Sequence, residues 1–304
     1  MSLKSILQNI LVGSKIDNTF RLIQVLRIVS VGRGIMGMNT LTMFDDVKSF
    51  TFTKDNMIMC RTGTNGYQSK FISDDKKYFV KGRAIISGVE RNDWLCEIIA
   101  SDFMQQLEIL GVVQSECNIN YYGTFKGVYS DNFELDGNVF ISYQNRIYSQ
   151  GEDPWRNPVF NKLSINEQLR YLAELVEKVT DIPKDEYLKY LVDLCVIDIL
   201  VGNMDRLPHN FGFFLSKDVL KVPLIFDCGM SLFEHEYDLD NVKTFQEAMR
   251  NVYVGPVCED PFTLLHSLQD KGMLDTYDFS RLKMPKRIPN DFAEMYLEKI
   301  FKEL

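Results

Sequence analysis

Nothing in this chain is spaced to hold a zinc ion or a disulfide framework. Its six cysteines, Cys60, Cys96, Cys117, Cys195, Cys228 and Cys258, form no C-x2-C pair, and His209, His235 and His266 stand at no metal-binding spacing. An even cysteine count alone allows disulfides, but no secretory leader pattern accompanies it. The thiols are therefore expected to be reduced in a cytoplasmic protein. Positive charge is also short: 34 Lys and Arg against 42 Asp and Glu leave a net charge of −8. The basic residues are scattered, which argues against a direct nucleic-acid partner. Apolar runs break before the roughly 20 residues needed to cross a bilayer. No internal repeat or low-complexity tract is present. What remains is 304 residues, 45% hydrophobic and 25% charged, enough for one large unit or two lobes with buried interiors.

Residues 201–229 carry the chemistry. Asp205 and Asn210 form a D-x4-N pattern, and Asp227 opens a D-x-G pattern with Gly229. A strongly apolar helix over 184–201 precedes Asp205, and an apolar run over 211–215 follows Asn210, so residues 203–210 read as a loop between two buried elements. A second strand over 222–226 is expected to deliver Asp227, joined to the first across 216–220 in a hairpin. That arrangement brings Asn210 and Asp227 to one end of a small ribbon, within reach of shared magnesium ions. Asp205 is then placed to orient a hydroxyl and take its proton. Taken one at a time, the three residues fit ordinary turn and cap roles equally well; together they fit phosphoryl transfer.

The upstream sequence supplies the rest of a nucleotide site. Strands are predicted over 57–60 and 78–81, with a polar loop over 61–70 between them that carries Gly63, Thr64, Asn65, Gly66 and Ser69. Its glycines allow close backbone approach to phosphates and its hydroxyls add donors. An ordinary hairpin turn has the same composition, and the pattern is neither a P-loop nor a dinucleotide fingerprint. Lys81 ends an apolar run and can reach phosphates; a surface lysine is the competing reading. Residues 93–110 have helical periodicity with Gly111 as the expected C-cap, and Glu97 in their first turns is the natural partner of Lys81. A solvent-facing acid favouring the helix start is the alternative. After a buried strand over 139–143, Tyr143 to Arg146 is the expected crossing between lobes, where the backbone would receive the adenine edge. Further helices are predicted over 166–179, 242–250, 261–271 and 289–304. Asp193 and Asp198 interrupt the apolar helix and are assigned no chemistry.

These residues resemble the HipA-like serine/threonine kinases, the bacterial toxin kinases and their short single-chain relatives. The resemblance runs from about residue 56 to 245, and its core is Gly202, Asn203, Asp205, Arg206, Asn210, Phe211 and Gly212 with Asp227. It implies an α+β, two-lobed protein-kinase-like fold, with a small mixed lobe of antiparallel strands over 46–146 and a larger, mainly helical lobe over 147–304. It further implies ATP and magnesium as cofactors, Asp205 as catalytic base, Asn210 and Asp227 as metal ligands, and Lys81 on the phosphates with Glu97 behind it. Residues 63–69 become the phosphate loop, with Thr62, Thr64 and Ser69 open to autophosphorylation. A protein substrate is implied, and a regulatory protein partner with it. Relatives often carry His two residues after the catalytic Asp; this chain has Leu207. Arg206 matches the Asp-Arg pair of some members and is expected to stabilise charge near the loop. A lipid or small-molecule kinase is the alternative within enzymology, and a pseudokinase that binds nucleotide without turnover is the alternative outside it. Residues 1–45 read as a helical extension packed on the kinase core, with membrane-surface contact as the lesser reading.

Overall fold

The computed structural model describes residues 47–56, 68–86, 89–134, 138–234 and 244–304. The proposed helical extension and the predicted strand over 57–60 lie outside them. Six strands form one sheet: β1 (Lys48–Thr51), β2 (Gln68–Ile72), β3 (Tyr78–Ile86), β4 (Val89–Arg91), β5 (Ser115–Asn120) and β6 (Thr124–Asp131). Their order is β1-β5-β6-β3-β2, with β4 also on β3. Only the β1–β5 pair is parallel.

The two-residue period of the strands sorts this sheet into two faces. Phe50, Phe52, Phe71, Val80, Cys117 and Ile119 pack together on one, where Phe52 stacks on Phe71 with centroids 4.6 Å apart. Next to Val80, Lys81 must point to the other face. Helix α1 (Asp93–Gln106) packs there, against β3, β5 and β6. Apolar residues surround α1 on several sides, so even Glu97 is buried.

Helix α1 stops four residues short of its predicted end. Glu108 takes the left-handed conformation (φ 59°) that reverses the chain, and Leu110 is exposed. Gly111 is not the C-cap. It bridges to Ile225, and a Cβ there would meet Met104 Sδ at 2.0 Å. Glycine here leaves room for the Met104 side chain and for the approach to Ile225 rather than making a turn.

The crossing also differs from expectation. β6 ends at Asp131, and β7 (Val139–Ser142) already pairs antiparallel with β8 (Gly212–Ser216), which pairs with β9 (Val219–Lys221). Tyr143 then starts a helix, α2 (Tyr143–Tyr148), because the Ser142 hydroxyl accepts from the Asn145 N–H at 3.1 Å as an N-cap. Its ring is fully buried and its amide donates to Phe211 O at 2.8 Å, so neither faces a ligand. The passage between the two sheets therefore lies upstream of Tyr143.

The hairpin is likewise tighter than predicted. Lys217 and Asp218, both left-handed (φ 49° and 65°), turn the chain in two residues, as a hairpin twist favours. Residues 222–226 leave the sheet and reach Gly111 through Ile225. At the start of β8, a Cβ on Gly212 would stand 2.2 Å from Ile141 O and 2.5 Å from Tyr143 N, so β7 and β8 can close only around glycine.

The remaining helices are α3 (Ile165–Val179), α4 (Lys184–Val201), α5 (Phe245–Met249), α6 (Pro261–Asp270) and α7 (Asp291–Glu303). α3 starts at a capping box made by Ser164 and Glu167, and α4 ends at Gly202 in the left-handed region (φ 58°). α4 is buried along most of its length and packs against α1, α3, α6 and α7, which makes it the axis of the larger core. Among the described residues no helix is long and apolar enough to cross a membrane.

Candidate active site

Four elements converge on one group of charges. From the middle of β3, the Lys81 ammonium donates to Glu97 on α1 and, at 2.7 Å, to Asp227 Oδ1. The side chains of Lys81 and Glu97 are 5% and 3% exposed, that of Asp227 26%. Burial works against the ammonium, but the carboxylates of Asp227 and Glu97 outweigh it and hold Lys81 above its ordinary range. Asp227 is held well below the usual carboxylate range: burial opposes its charge, and Lys81, then Lys70, overcome that opposition. Glu97 reaches further, since its second oxygen accepts from the Cys228 N–H at 3.3 Å. One carboxylate thus fixes both the lysine and the chain just after Asp227. Asp227 itself has φ 60°, a conformation its short polar side chain tolerates better than most.

Lys70 is a residue the sequence reading passed over. It stands directly across from Lys81 in the β2–β3 ladder. Two like charges in register on one face disfavour a sheet, and here both act on the same anion, Asp227.

Asp205 and Asn210 occupy the loop between α4 and β8. The Asn210 side-chain amide donates to Asp205 O at 2.6 Å and to Asp205 Oδ2 at 2.9 Å, closing the loop on itself. The Asp205 amide donates to Asn203 Oδ1 at 3.2 Å. Burial raises the Asp205 carboxyl, and the charge of Asp227 raises it further, against the opposing pull of His209, Asn210 and Arg206. The two acids therefore sense each other across the site.

Arg206 lies beside the loop, as expected, and its charge favours the ionised Asp205 and Asp227. Its side chain is 1% exposed and forms a fork with Asp198, Nε to Oδ2 and Nη2 to Oδ1 each at 3.0 Å. Nη1 donates to Asn210 O at 3.1 Å and to Phe226 O at 2.8 Å. It clamps the Asp205–Asn210 loop to the segment that carries Asp227 and is itself buried. Asp198, fully buried, also accepts from Asn203 Nδ2 at 2.9 Å. An acid inside an otherwise apolar helix was the available signal for such a partner.

Not every expected residue enters this group. Gly63, Thr64, Asn65 and Gly66 lie outside the described residues. Ser69 is in strand β2 rather than a loop, with its hydroxyl donating to Arg83 O at 3.4 Å. Tyr143 belongs to the core, where its hydroxyl donates to Leu172 O.

The hard oxygens available to a cation are the carboxylates of Asp205 and Asp227 and the amide oxygen of Asn210. Among the described residues no cluster of three or more His, Cys, Asp and Glu is set to hold a metal alone. Magnesium needs no such cluster, since it takes one or two carboxylates and completes its shell with water and substrate phosphates. The geometry in its favour is the Arg206 guanidinium, whose Nη1 bonds both Asn210 O and Phe226 O and so ties Asn210 to the segment that carries Asp227.

No protein-family model matches the chain. No curated protein matches it. Solved structures do. The kinase CtkA of Helicobacter pylori, described as proinflammatory, aligns over 84% of this chain and 93% of its own with a TM-score of 0.50 at 15% identity. The HipA protein of Shewanella oneidensis MR-1, solved in a toxin–antitoxin complex with HipB and operator DNA, aligns over 91% of this chain and 68% of its own, at a TM-score of 0.37 and 11% identity. At such identities the CtkA alignment speaks to fold, and the HipA alignment carries no weight of its own. The chain has the fold of the CtkA structure, a kinase fold.

Proposed function

We propose that this chain is an ATP- and magnesium-dependent kinase that transfers the γ-phosphoryl group to a serine or threonine hydroxyl of a protein, with its own Thr64 and Ser69 among the acceptors. The observation that carries this reading is the buried Lys81, held at once by Glu97 and by Asp227, beside the closed Asp205–Asn210 loop. A lysine kept charged away from water is suited to nucleotide phosphates. Glu97 fixes its position, so little ordering is left to substrate binding. Lys70, in register with Lys81, adds a second positive charge on the same side.

Asp205 acts on the acceptor. Burial and the charge of Asp227 raise its carboxyl above the ordinary aspartate range, which strengthens it as a base. The acceptor oxygen bonds to the γ phosphorus as the bond from that phosphorus to the bridging oxygen breaks. The electron pair leaves with ADP, and the hydroxyl proton passes to Asp205. Asn210 holds the Asp205 carboxylate through its amide, leaving the amide oxygen and Asp227 as cation ligands. Bound magnesium would supply charge neutralisation along the phosphates.

Incubating the full chain with γ-labelled ATP, magnesium and a mixture of proteins, followed by intact-mass measurement and site mapping, tests the reading. Label is expected on serine or threonine. Label in a metabolite or lipid with unchanged protein masses would make the chain a small-molecule or lipid kinase, and no transfer to any acceptor would make it a nucleotide-binding pseudokinase. A separate result is expected from calorimetry. Magnesium should tighten ATP binding to the wild type, and Asp227→Ala should lose most of that gain while staying folded. Equal magnesium dependence in the two proteins would remove Asp227 from the metal site.

A further inference from the structure

Residues 228–234, directly after Asp227, are tied to α1 at three heights. Glu97 accepts from the Cys228 N–H at 3.3 Å, Cys96 Sγ donates to Ser231 O at 3.3 Å, and the Asn92 N–H donates to Glu234 Oε2 at 2.6 Å. The third contact caps a helix from far away in sequence. Asn92 occupies the N-cap of α1, yet its own side chain makes no capping bond. The Glu234 carboxylate instead satisfies the N–H of Asn92 itself, as the glutamate of a capping box does, at the positive end of the helix dipole.

Glu234 is itself held. Only 7% exposed, it accepts from Asn290 Nδ2 at 3.0 Å through its other oxygen. The same Asn290 nitrogen donates to Leu232 O at 2.9 Å, while Asn290 Oδ1 caps α7 through the Ala293 N–H at 2.9 Å. Just before Glu234, Leu232 and Phe233 are both left-handed (φ 53° and 62°), a conformation unfavourable for such side chains. Both are buried, and the Phe233 ring packs against Phe245, Phe292 and Tyr296. Core packing thus enforces a strained turn whose result is to aim one carboxylate at the start of α1.

We propose that Glu234 is a positioning residue: by capping α1 and tying it through Asn290 to α7, it sets the place of Glu97 and hence of Lys81. The step to catalysis rests on the kinase reading above; the step to α1 does not. Hydrogen exchange read by mass spectrometry on the full chain, with acylation of Lys81 as a second readout, tests the first link. Steady-state phosphoryl transfer tests the second.

Glu234→Ala should speed exchange at the first turns of α1 by about tenfold or more, the loss of a charge-assisted bond, and should make Lys81 easier to acylate. It should lower kcat on the order of tenfold with a smaller change in KM for ATP. Glu234→Gln, which keeps an acceptor for the Asn92 N–H, should fall between the two and serves alone if the alanine variant does not fold. Unchanged exchange in α1, or faster exchange spread evenly over the chain, would overturn the proposal. So would loosened α1 with unchanged kcat. If the wild type transfers no phosphate, the kinase reading fails, and α1 exchange with Lys81 acylation still decides whether Glu234 holds the lysine.

Discussion

Asp205→Asn is expected to reduce phosphoryl transfer by about 10²–10⁴-fold, the usual worth of a placed general base, while ATP binding stays near the wild-type value. The substitution keeps size and a hydrogen-bond partner for Asn210 but removes the only feature that accepts a proton. γ-Phosphate transfer and nucleotide affinity, measured on the same preparation, separate the two effects. Full transfer by the variant would end the role assigned to Asp205 even with the fold intact. The acid limb of the wild-type pH profile gives an independent check. Because burial and Asp227 raise the Asp205 carboxyl, its base form disappears as pH falls through a value above the ordinary aspartate pKa of about 3.9. Activity should therefore begin to fall at a higher pH than an unperturbed carboxylate would allow.

Arg206→Met is expected to be the most destabilising single change in the site, by about 3–5 kcal/mol in urea unfolding, the range for breaking a buried ion pair by removing one partner. Asp198, fully buried, would be left with Asn203 alone, and burial already pushes its carboxyl upward. Asn210 O and Phe226 O would lose their donor together. Adding Asp198→Leu should restore much of the stability, since two apolar groups leave no uncompensated charge. A single variant as stable as the wild type would show that the fork contributes little.

How much of this was legible beforehand differs from residue to residue. Lys81, Glu97 and Asp227 could be placed together because each sits on an element with a clear signature: an apolar strand, a periodic helix, and an acid at the end of an apolar run. The helix over 184–201 was legible to the residue, because its apolar run ends at a glycine free to take the left-handed turn. Arg206 was not legible as a clamp. A charged residue in a polar loop looks solvated, and its partner lies a helix away at Asp198. The crossing was misplaced because Tyr143 follows an apolar run, while the feature that decides its fate is the single hydroxyl of Ser142 capping α2. Gly111 looked like a helix end because a C-cap and a close approach both call for glycine, and only the Met104 side chain separates them. Lys70 went unread because register between strands is invisible until the strands are paired.

Gly212 bears on how sequences built on this frame should be compared. It lies two residues from Asn210, and no other residue type can stand there without pushing its Cβ into Ile141 O. Its carbonyl also accepts from the buried Tyr187 hydroxyl at 3.2 Å. Descendants that lost the chemistry but kept the architecture would retain this glycine and be free to vary Asp205. An alignment in which Gly212 persists while the acids drift would then mark the branch where catalysis was abandoned, and glycine retention by itself would say nothing about activity.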